Sequence, residues 1–295
     1  MTGTTVPVSV VVPTIGRAEL LRACLASLAD CHPRAAEVLV VDQSRDATVK
    51  DMVASLDRPE FRAVGCEPRG VAHGMNLGLE LARHDVVLAT HDDCTVDPAW
   101  VGTAWSLMQE NGRRIVTGRV LPGGDADHVP STIDVSVPHD YAHGVDFCVL
   151  FPNNMALDRT LALELGGFDE RIPFAEDNDF CYRWLQAGHP MRYEPSLVVE
   201  HHDWRSNRDL ETLYVNYAIG QGIFYAKHLR QGDLAICRHL LRDLYAGGRG
   251  ILANIVHGRP RWSDWRQGVP RGLPVGLVRG WRAFGPRRLR KVRAG

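Results

Sequence analysis

The sequence predicts an α/β protein: a doubly wound, mostly parallel sheet with helices on both faces, followed by a helical, basic C-terminal extension. Three observations predict it. Short unbroken apolar runs alternate with stretches of helical periodicity through the first hundred residues. Each of the first four runs ends in a polar cluster, as strands do when their carboxyl ends form a ligand-binding edge. Beyond about Ser206 the chain turns into arginine-rich helical stretches.

The elements follow in order. "VPVSVVVP" is a continuous apolar run and reads as a buried strand. "AELLRACLASLA" then sets Leu20, Leu21, Cys24, Leu25 and Leu28 on one helical face. "EVLVV" is a second strand and "FRAVGC" a third, with a helix between them near Lys50 to Leu56. "GVAHGMNLGLELARH" is helical and "VVLAT" is the fourth strand. Asp97-Pro98 should open a helix through Met108, with Asp97 as cap and proline at the first helical position. In the second half, "RIVTGRVLPGG" and "VDFCVLFPNNMAL" read as strands flanking a loop from Pro122 to Gly144. A helix from Glu176 to near Gly188 and a last strand, "RYEPSLVVEHH", complete this part. The expected organisation is one domain in two halves, residues 1–118 and 119–205, followed by the extension, 206–295.

Composition narrows the function classes. An apolar content of 45% and a charged content of 23% suit a chain that buries a proper core. No window approaches the roughly 18 unbroken apolar residues of a membrane span. The N-terminal run lacks a basic leader and reads as a strand rather than a signal peptide. Seven scattered cysteines, odd in number and never spaced C-x-x-C, argue against a disulfide framework or a thiolate zinc site and suit a reducing cytoplasm. The net charge of −1 hides an asymmetry. From Arg238 onward there are fourteen Lys/Arg and two acids, or +12, leaving 20 basic and 33 acidic residues, or −13, for the remainder.

Four polar clusters end the first four strands: "PTIGR", "VDQSRD", "EPRG" and "THDD". The acidic pair Asp92-Asp93 has two readings. It is either a solvated turn that caps local backbone, or a site for a hard divalent cation such as Mg²⁺ or Mn²⁺. Asp177 lies three and four residues before the apolar Phe180 and Cys181, on their inward face. A partly desolvated carboxylate there suits general-base work, whereas Glu176 and Asp179 are accounted for by the helix dipole. His201 and His202 end the last strand and point to opposite faces, so at most one faces the site.

Taken in order, "VSVVVPTIGRAELLRACLASL", "VLVVDQSRD", "GVAHGMNLGLELA", "THDDC", "GGFDE", "AEDNDFCYRWLQAG" and "PSLVVEH" resemble the inverting family 2 glycosyltransferases of the GT-A fold, over roughly residues 6 to 205. The resemblance implies roles for the matching residues. Pro13, Thr14 and Arg17 would line a nucleotide pocket, and Asp42 would accept a base N–H. Asp46, Arg69 and Asn76 are further pocket candidates. "THDDC" would be the D-x-D element, with Asp93 and His201 holding Mn²⁺ or Mg²⁺, and with His91 and Asp92 on the nucleotide-sugar side. Asp177 of the Glu176-Asp177 pair would be the catalytic base, and Gly166, Gly167, Phe168, Asp169 and Glu170 would shape the acceptor side. His91 departs from the family's three carboxylates and bears on whether the cation is essential. The implied activity is inverting transfer from a nucleoside-diphosphate sugar to a glycan or lipid-linked acceptor in cell-surface assembly. The rivals are a non-catalytic sugar-nucleotide-binding protein and a nucleotidyltransferase; the latter is poorly served by a first loop with one glycine and one arginine.

In the extension, Leu273, Leu277, Trp281 and Phe284 recur at helical spacing among Arg271, Arg279 and Arg282, and "PRRLRKVR" follows. Such a stripe suits either a helix lying in the inner membrane interface or packing against the protein itself. Nucleic acid is not an expected partner: the acidic body opposes it and the tail lacks interleaved aromatics.

Overall fold

A ten-residue strand, β1 (Thr5–Thr14), forms where Val6 to Val12 supply apolar side chains to both faces of the sheet. The structure, a computed structural model, describes residues 4–110, 113–124, 129–141, 152–202, 206–257 and 265–285. It divides into two compact units, residues 1–170 with 177–204, and residues 171–176 with 205–295.

In the first unit, α1 (Ala18–Ala29) buries Leu21, Cys24, Leu25 and Leu28. β2 (Arg34–Asp42), α2 (Thr48–Ser55), β3 (Phe61–Gly65), α3 (Val71–Leu81) and β4 (Val86–Ala89) follow. These four strands pair in parallel in the order β3-β2-β1-β4. Thr14 sits beside Asp42, and Asp42 beside Gly65, so the polar clusters share one edge. α3 lies close on the sheet: a Cβ on Gly78 would stand 2.2 Å from Val11 Cγ1, so only glycine fits there.

Beyond β4 the sheet changes direction. β5 (Cys94–Val96) is followed by α4 (Trp100–Glu110), β6 (Ile115–Gly123), β7 (His139–Tyr141), β8 (Met155–Asp158) and α5 (Arg159–Glu164). α6 (Glu176–Gln186) and β9 (Met191–His202) end this part of the chain. The full order is β3-β2-β1-β4-β8-β6-β9-β5, with β7 also on β9. β8 is antiparallel to both β4 and β6, whereas β6 and β9 run parallel. Asn154 ties this half together. It is fully buried, donates to the Arg119 and Leu197 carbonyls at 2.7 and 2.9 Å, and accepts from Trp100 Nε1 at 2.9 Å.

Three details differ from the sequence reading. The helix after Asp97-Pro98 starts at Trp100, because Asp97 Oδ1 accepts from Ala99 N and its carbonyl from Trp100 N, which closes a turn first. The expected loop from Pro122 to Gly144 holds the short strand β7, and its residues 125–128 and 142–144 lie outside the described ones. Of the expected strand at 145–157, residues 145–151 also lie outside them; Pro152–Asn154 is a 3-10 turn and only Met155 onward is strand.

The second unit holds α7 (Asn207–Arg230), α8 (Ile236–His257) and α9 (Val269–Ala283). Ser206 caps α7 in a reciprocal box with Asp209, the S-x-x-D pattern of a helix start. α9 packs on α7 through glycines at every fourth position. A Cβ on Gly272 would stand 2.4 Å from the Val215 carbonyl, and one on Gly276 2.0 Å from that of Ile219.

That contact corrects the interfacial-stripe alternative for α9. Leu273 and Phe284 are buried, and Arg171 and Lys227 stand over the Phe284 ring. Trp281 is exposed and carries Arg230 on its face. The stripe is mainly an internal packing surface of the helical unit, because backbone contact through the glycines turns the neighbouring Leu273 inward. "PRRLRKVR" lies outside the described residues.

Candidate active site

The edge built by the carboxyl ends of β1 and β4 carries the acidic pair. Asp92 and Asp93 are both buried. Thr14 Oγ1 donates to Asp92 Oδ2 at 2.6 Å, and Gly16 N donates back to Thr14 Oγ1. Arg17 clasps both acids. Its Nε and Nη2 engage Asp92, and its Nη1 lies 2.8 Å from Asp93 Oδ2. Two adjacent buried carboxylates require such compensation. Burial pushes the Asp92 carboxyl up, against Arg17 and Thr14, which favour its charge. For Asp93 burial pushes the same way, but His201, Arg17 and His91 together outweigh it and hold this carboxyl well below the usual range.

His201 reaches Asp93 because of β5. That three-residue strand pairs antiparallel with β9 and sets Cys94 opposite His201, while His202 N donates to the Asp93 carbonyl. His201 Nδ1 lies 2.9 Å from the Pro130 carbonyl, which can only accept, so Nδ1 carries a hydrogen. Nε2 then faces Asp93 Oδ2 at 3.5 Å. With Nε2 protonated, the imidazolium helps hold Asp93 ionised; in the neutral ring the same nitrogen offers a lone pair that a cation can take. Asp93, Cys94 and His201 also place one ligand atom each within 4.8 Å of one another. Burial pushes the Cys94 thiol well up, so the available donors are carboxylate oxygen and imidazole nitrogen. This set fits a hard or borderline divalent cation better than a thiophilic one. His202 turns the other way, to Thr95 Oγ1 and the Gly123 carbonyl.

His91 is half-buried, and its carbonyl accepts from Cys24 Sγ and Cys94 N. Along the same edge, Asp42 is buried and accepts from Ser44 N at 2.8 Å, closing a turn after β2. Asp46 accepts from Thr48 N at the start of α2 and is exposed. Gln43, which sequence reasoning missed, is buried beside them. Its Oε1 accepts from Arg69 N and Gly70 N and so fixes the turn into α3, while its own N–H bonds the Thr14 carbonyl. Pro13 packs in the same corner, since a Cβ on Gly74 would meet both Pro13 and Gln43 at 3.0 Å. The only sequence signal for Gln43 was its place immediately after Asp42.

Asn76 is committed elsewhere. Its Nδ2 donates to the Phe168 carbonyl and to Glu170, and its Oδ1 accepts from Phe168 N at 2.8 Å. This clasp holds the turn from Gly166 to Glu170, where Gly166 and Gly167 both take positive φ. In the turn Phe168 is buried, Asp169 half-buried and Glu170 exposed. Arg183, also unanticipated, secures the turn from α6: it donates to the Leu165 and Gly167 carbonyls and pairs with buried Asp179 at 2.7 Å. Asp179 is thus explained by its ion pair.

Asp177 occupies the first turn of α6, half-buried, and its Oδ1 accepts from Asn178 N. Burial pushes its carboxyl up to about 7, against backbone hydrogen bonds that favour the charge. Glu176 is buried at the start of the helix. A carboxyl poised near neutrality suits a general base, and the Asp93–His201 pair suits a divalent cation.

Residues 9–138 match the glycosyl transferase family 2 model. Over that segment, 130 of its 295 residues, the chain is similar to glycosyltransferase family 2. It is 25% identical to the pre-mycofactocin glycosyltransferase of Mycobacterium tuberculosis, over 68% of this chain and 44% of that one. It is 26% identical to the glucosyl-dolichyl phosphate glucuronosyltransferase of Haloferax volcanii, over 56% and 58%. The chain thus spans about half the length of the curated relatives it matches. Among solved structures, the mannosyltransferase PcManGT from Pyrobaculum calidifontis, in complex with GDP-Man and Mn²⁺, superposes with TM-score 0.63 at 18% identity, covering 95% of this chain and 90% of that one. S. aureus TarS 1-349 in complex with UDP gives 0.57 at 17% identity, covering 77% and 71%. These neighbours establish the GT-A type of fold for this chain.

Proposed function

We propose that this chain transfers a sugar from a nucleoside-diphosphate sugar to a hydroxyl acceptor, with inversion at the anomeric carbon. The observation that carries the reading is the convergence of His201 Nε2 and Asp93 Oδ2 on the edge where β1 and β4 end. A Mn²⁺ or Mg²⁺ ion held by Asp93 and His201 would neutralise the charge that develops on the departing diphosphate. An imidazole ligand favours Mn²⁺ of the two.

The chain's own groups supply the rest. Thr14 and Arg17 keep the two carboxylates ionised and oriented, and Arg17 adds a positive charge on the phosphate side. Asp42, at the end of β2, accepts a base N–H, which uracil, thymine and guanine offer. Asp177 takes the acceptor hydroxyl's proton as that oxygen bonds to the anomeric carbon and the bond to the diphosphate oxygen breaks. One displacement from the opposite face inverts the centre without a covalent intermediate. The turn from Gly166 to Glu170, held by Asn76 and Arg183, shapes the acceptor side. One relative is named for a lipid-linked substrate, glucosyl-dolichyl phosphate. It supports a lipid-linked acceptor here, and on that reading the chain works at the inner face of the cell membrane, in cell-surface polysaccharide or glycolipid assembly.

The test is turnover of UDP-, GDP- and dTDP-sugars by the wild-type chain and by Asp177→Asn, with nucleotide binding measured in parallel. Lost turnover with retained binding is expected. Undiminished turnover by Asp177→Asn would remove the base assignment.

A further inference from the structure

α8 is built inside out. Its side facing into the helical unit carries polar groups: His239 and Asp243 are buried, and Asp243 accepts from the Tyr225 hydroxyl of α7. Ile236 is buried with them, but large apolar side chains further along the helix point the other way. Leu241 is 64% exposed, Tyr245 68%, Leu252 63% and Val256 75%. At 100° per residue these four fall within one narrow sector of the helix, opposite Asp243, and exposed Leu244 widens it. Burial of apolar surface is the main favourable contribution to folding, so a helix rarely turns this side to water unless something else covers it.

The charges select what covers it. Arg238, Arg242 and Arg249 are exposed along one flank of the apolar sector, and Arg249 stands over the Tyr245 ring. The single acid of α8, Asp243, lies on the buried side. A row of guanidiniums beside an apolar sector, with no acid on that face, complements a surface with anionic groups above hydrocarbon. α8 has 22 residues, about 33 Å of helix. No helix among the described residues is long and apolar enough to cross a membrane, so α8 fits lying on a bilayer rather than spanning it.

We propose that the outward face of α8, Leu241, Tyr245, Leu252 and Val256 with Arg238 and Arg249, docks on an anionic lipid surface. This inference is independent of the transferase reading, because it concerns another part of the chain and its test needs no sugar donor.

The experiment is flotation of the full chain with phosphatidylcholine vesicles and with vesicles that also contain phosphatidylglycerol. The chain rises with the anionic vesicles, and added salt weakens the association. Replacing Leu241, Tyr245 and Leu252 together by Ser lowers binding by at least about tenfold. Arg238→Gln and Arg249→Gln each lower it by about fivefold. All five substituted positions are exposed, so melting temperatures stay at the wild-type value and a loss of binding is not a loss of fold. Failure to float, equal binding to neutral vesicles, or unchanged binding by the triple variant would each overturn the proposal. So would a concentration-dependent dimer abolished by the triple variant without vesicle binding, which would assign the face to a second copy of the chain.

Discussion

Arg17 and His201 converge on one oxygen atom, Asp93 Oδ2, with Arg17 Nη1 at 2.8 Å and His201 Nε2 at 3.5 Å. The arginine thus already supplies positive charge where a divalent cation would be held. Replacing it should have opposite effects with and without metal. Arg17→Gln leaves two buried carboxylates without their main counter-charge and should cost about 3 kcal/mol of stability in metal-free buffer. With Mn²⁺ added, the rise in Tm of the variant should exceed that of the wild type, since Arg17 no longer competes for Asp93. Thermal melts with and without Mn²⁺ read both effects. An unchanged metal-free Tm would show that Arg17 does not compensate the pair.

As the proposed base, Asp177 should set the pH dependence of transfer. Burial pushes its carboxyl up to about 7, and only the carboxylate accepts a proton. Turnover should therefore fall as pH drops through about 7 and level off above it. Asp177→Asn should lose about a thousandfold in kcat. A rate profile flat from pH 5 to about 8, where an unperturbed carboxylate stays ionised, would contradict the assignment.

Asn154 is the polar pin of the antiparallel half. Asn154→Ala leaves the Arg119 and Leu197 carbonyls and the Trp100 N–H without their partner. The loss should be about 3 kcal/mol in urea unfolding. A change below about 1 kcal/mol would mean that water replaces all three bonds.

Glu37 links stability to acid. It is buried in β2, accepting from Ser9 Oγ at 2.6 Å, Arg62 Nε at 2.8 Å and Arg83 N at 2.9 Å. Burial raises its pKa, but these partners outweigh it and hold it below the ordinary 4.5. The folded chain thus binds fewer protons here than the unfolded chain. The stabilisation is complete above pH 4.5 and is lost as pH falls through the lower folded value. Glu37→Gln should shallow the decline of unfolding free energy in that window. An unaltered slope would assign the acid sensitivity to other carboxylates.

The parallel half was legible because each buried strand is a continuous apolar run and each helix keeps a 3.6-residue period. Asp92 and Asp93 could be named because they follow such a run, and Thr14 and Arg17 because the family resemblance marks the end of the first one. What escaped was set by pairing across the sheet. Three-residue β5 is too short to show a period, yet it is what brings His201 to Asp93. Gln43, Asn154 and Arg183 act on backbone carbonyls and amides far away in sequence, which no local pattern reveals. The α9 stripe was read from its large residues alone. Its orientation was fixed by the glycines between them, which bring α9 onto α7 and bury Leu273.

The central claim is that the Asp93–His201 edge holds a cation and, through it, a nucleoside diphosphate. Calorimetry of UDP, dTDP, GDP, CDP and ADP, each with and without Mn²⁺, tests it most directly. Binding of one diphosphate that depends on Mn²⁺, and that Asp93→Asn abolishes, is the predicted result. Absence of binding by all five in both conditions would contradict it and return Asp92 and Asp93 to the role of a turn neutralised by Arg17.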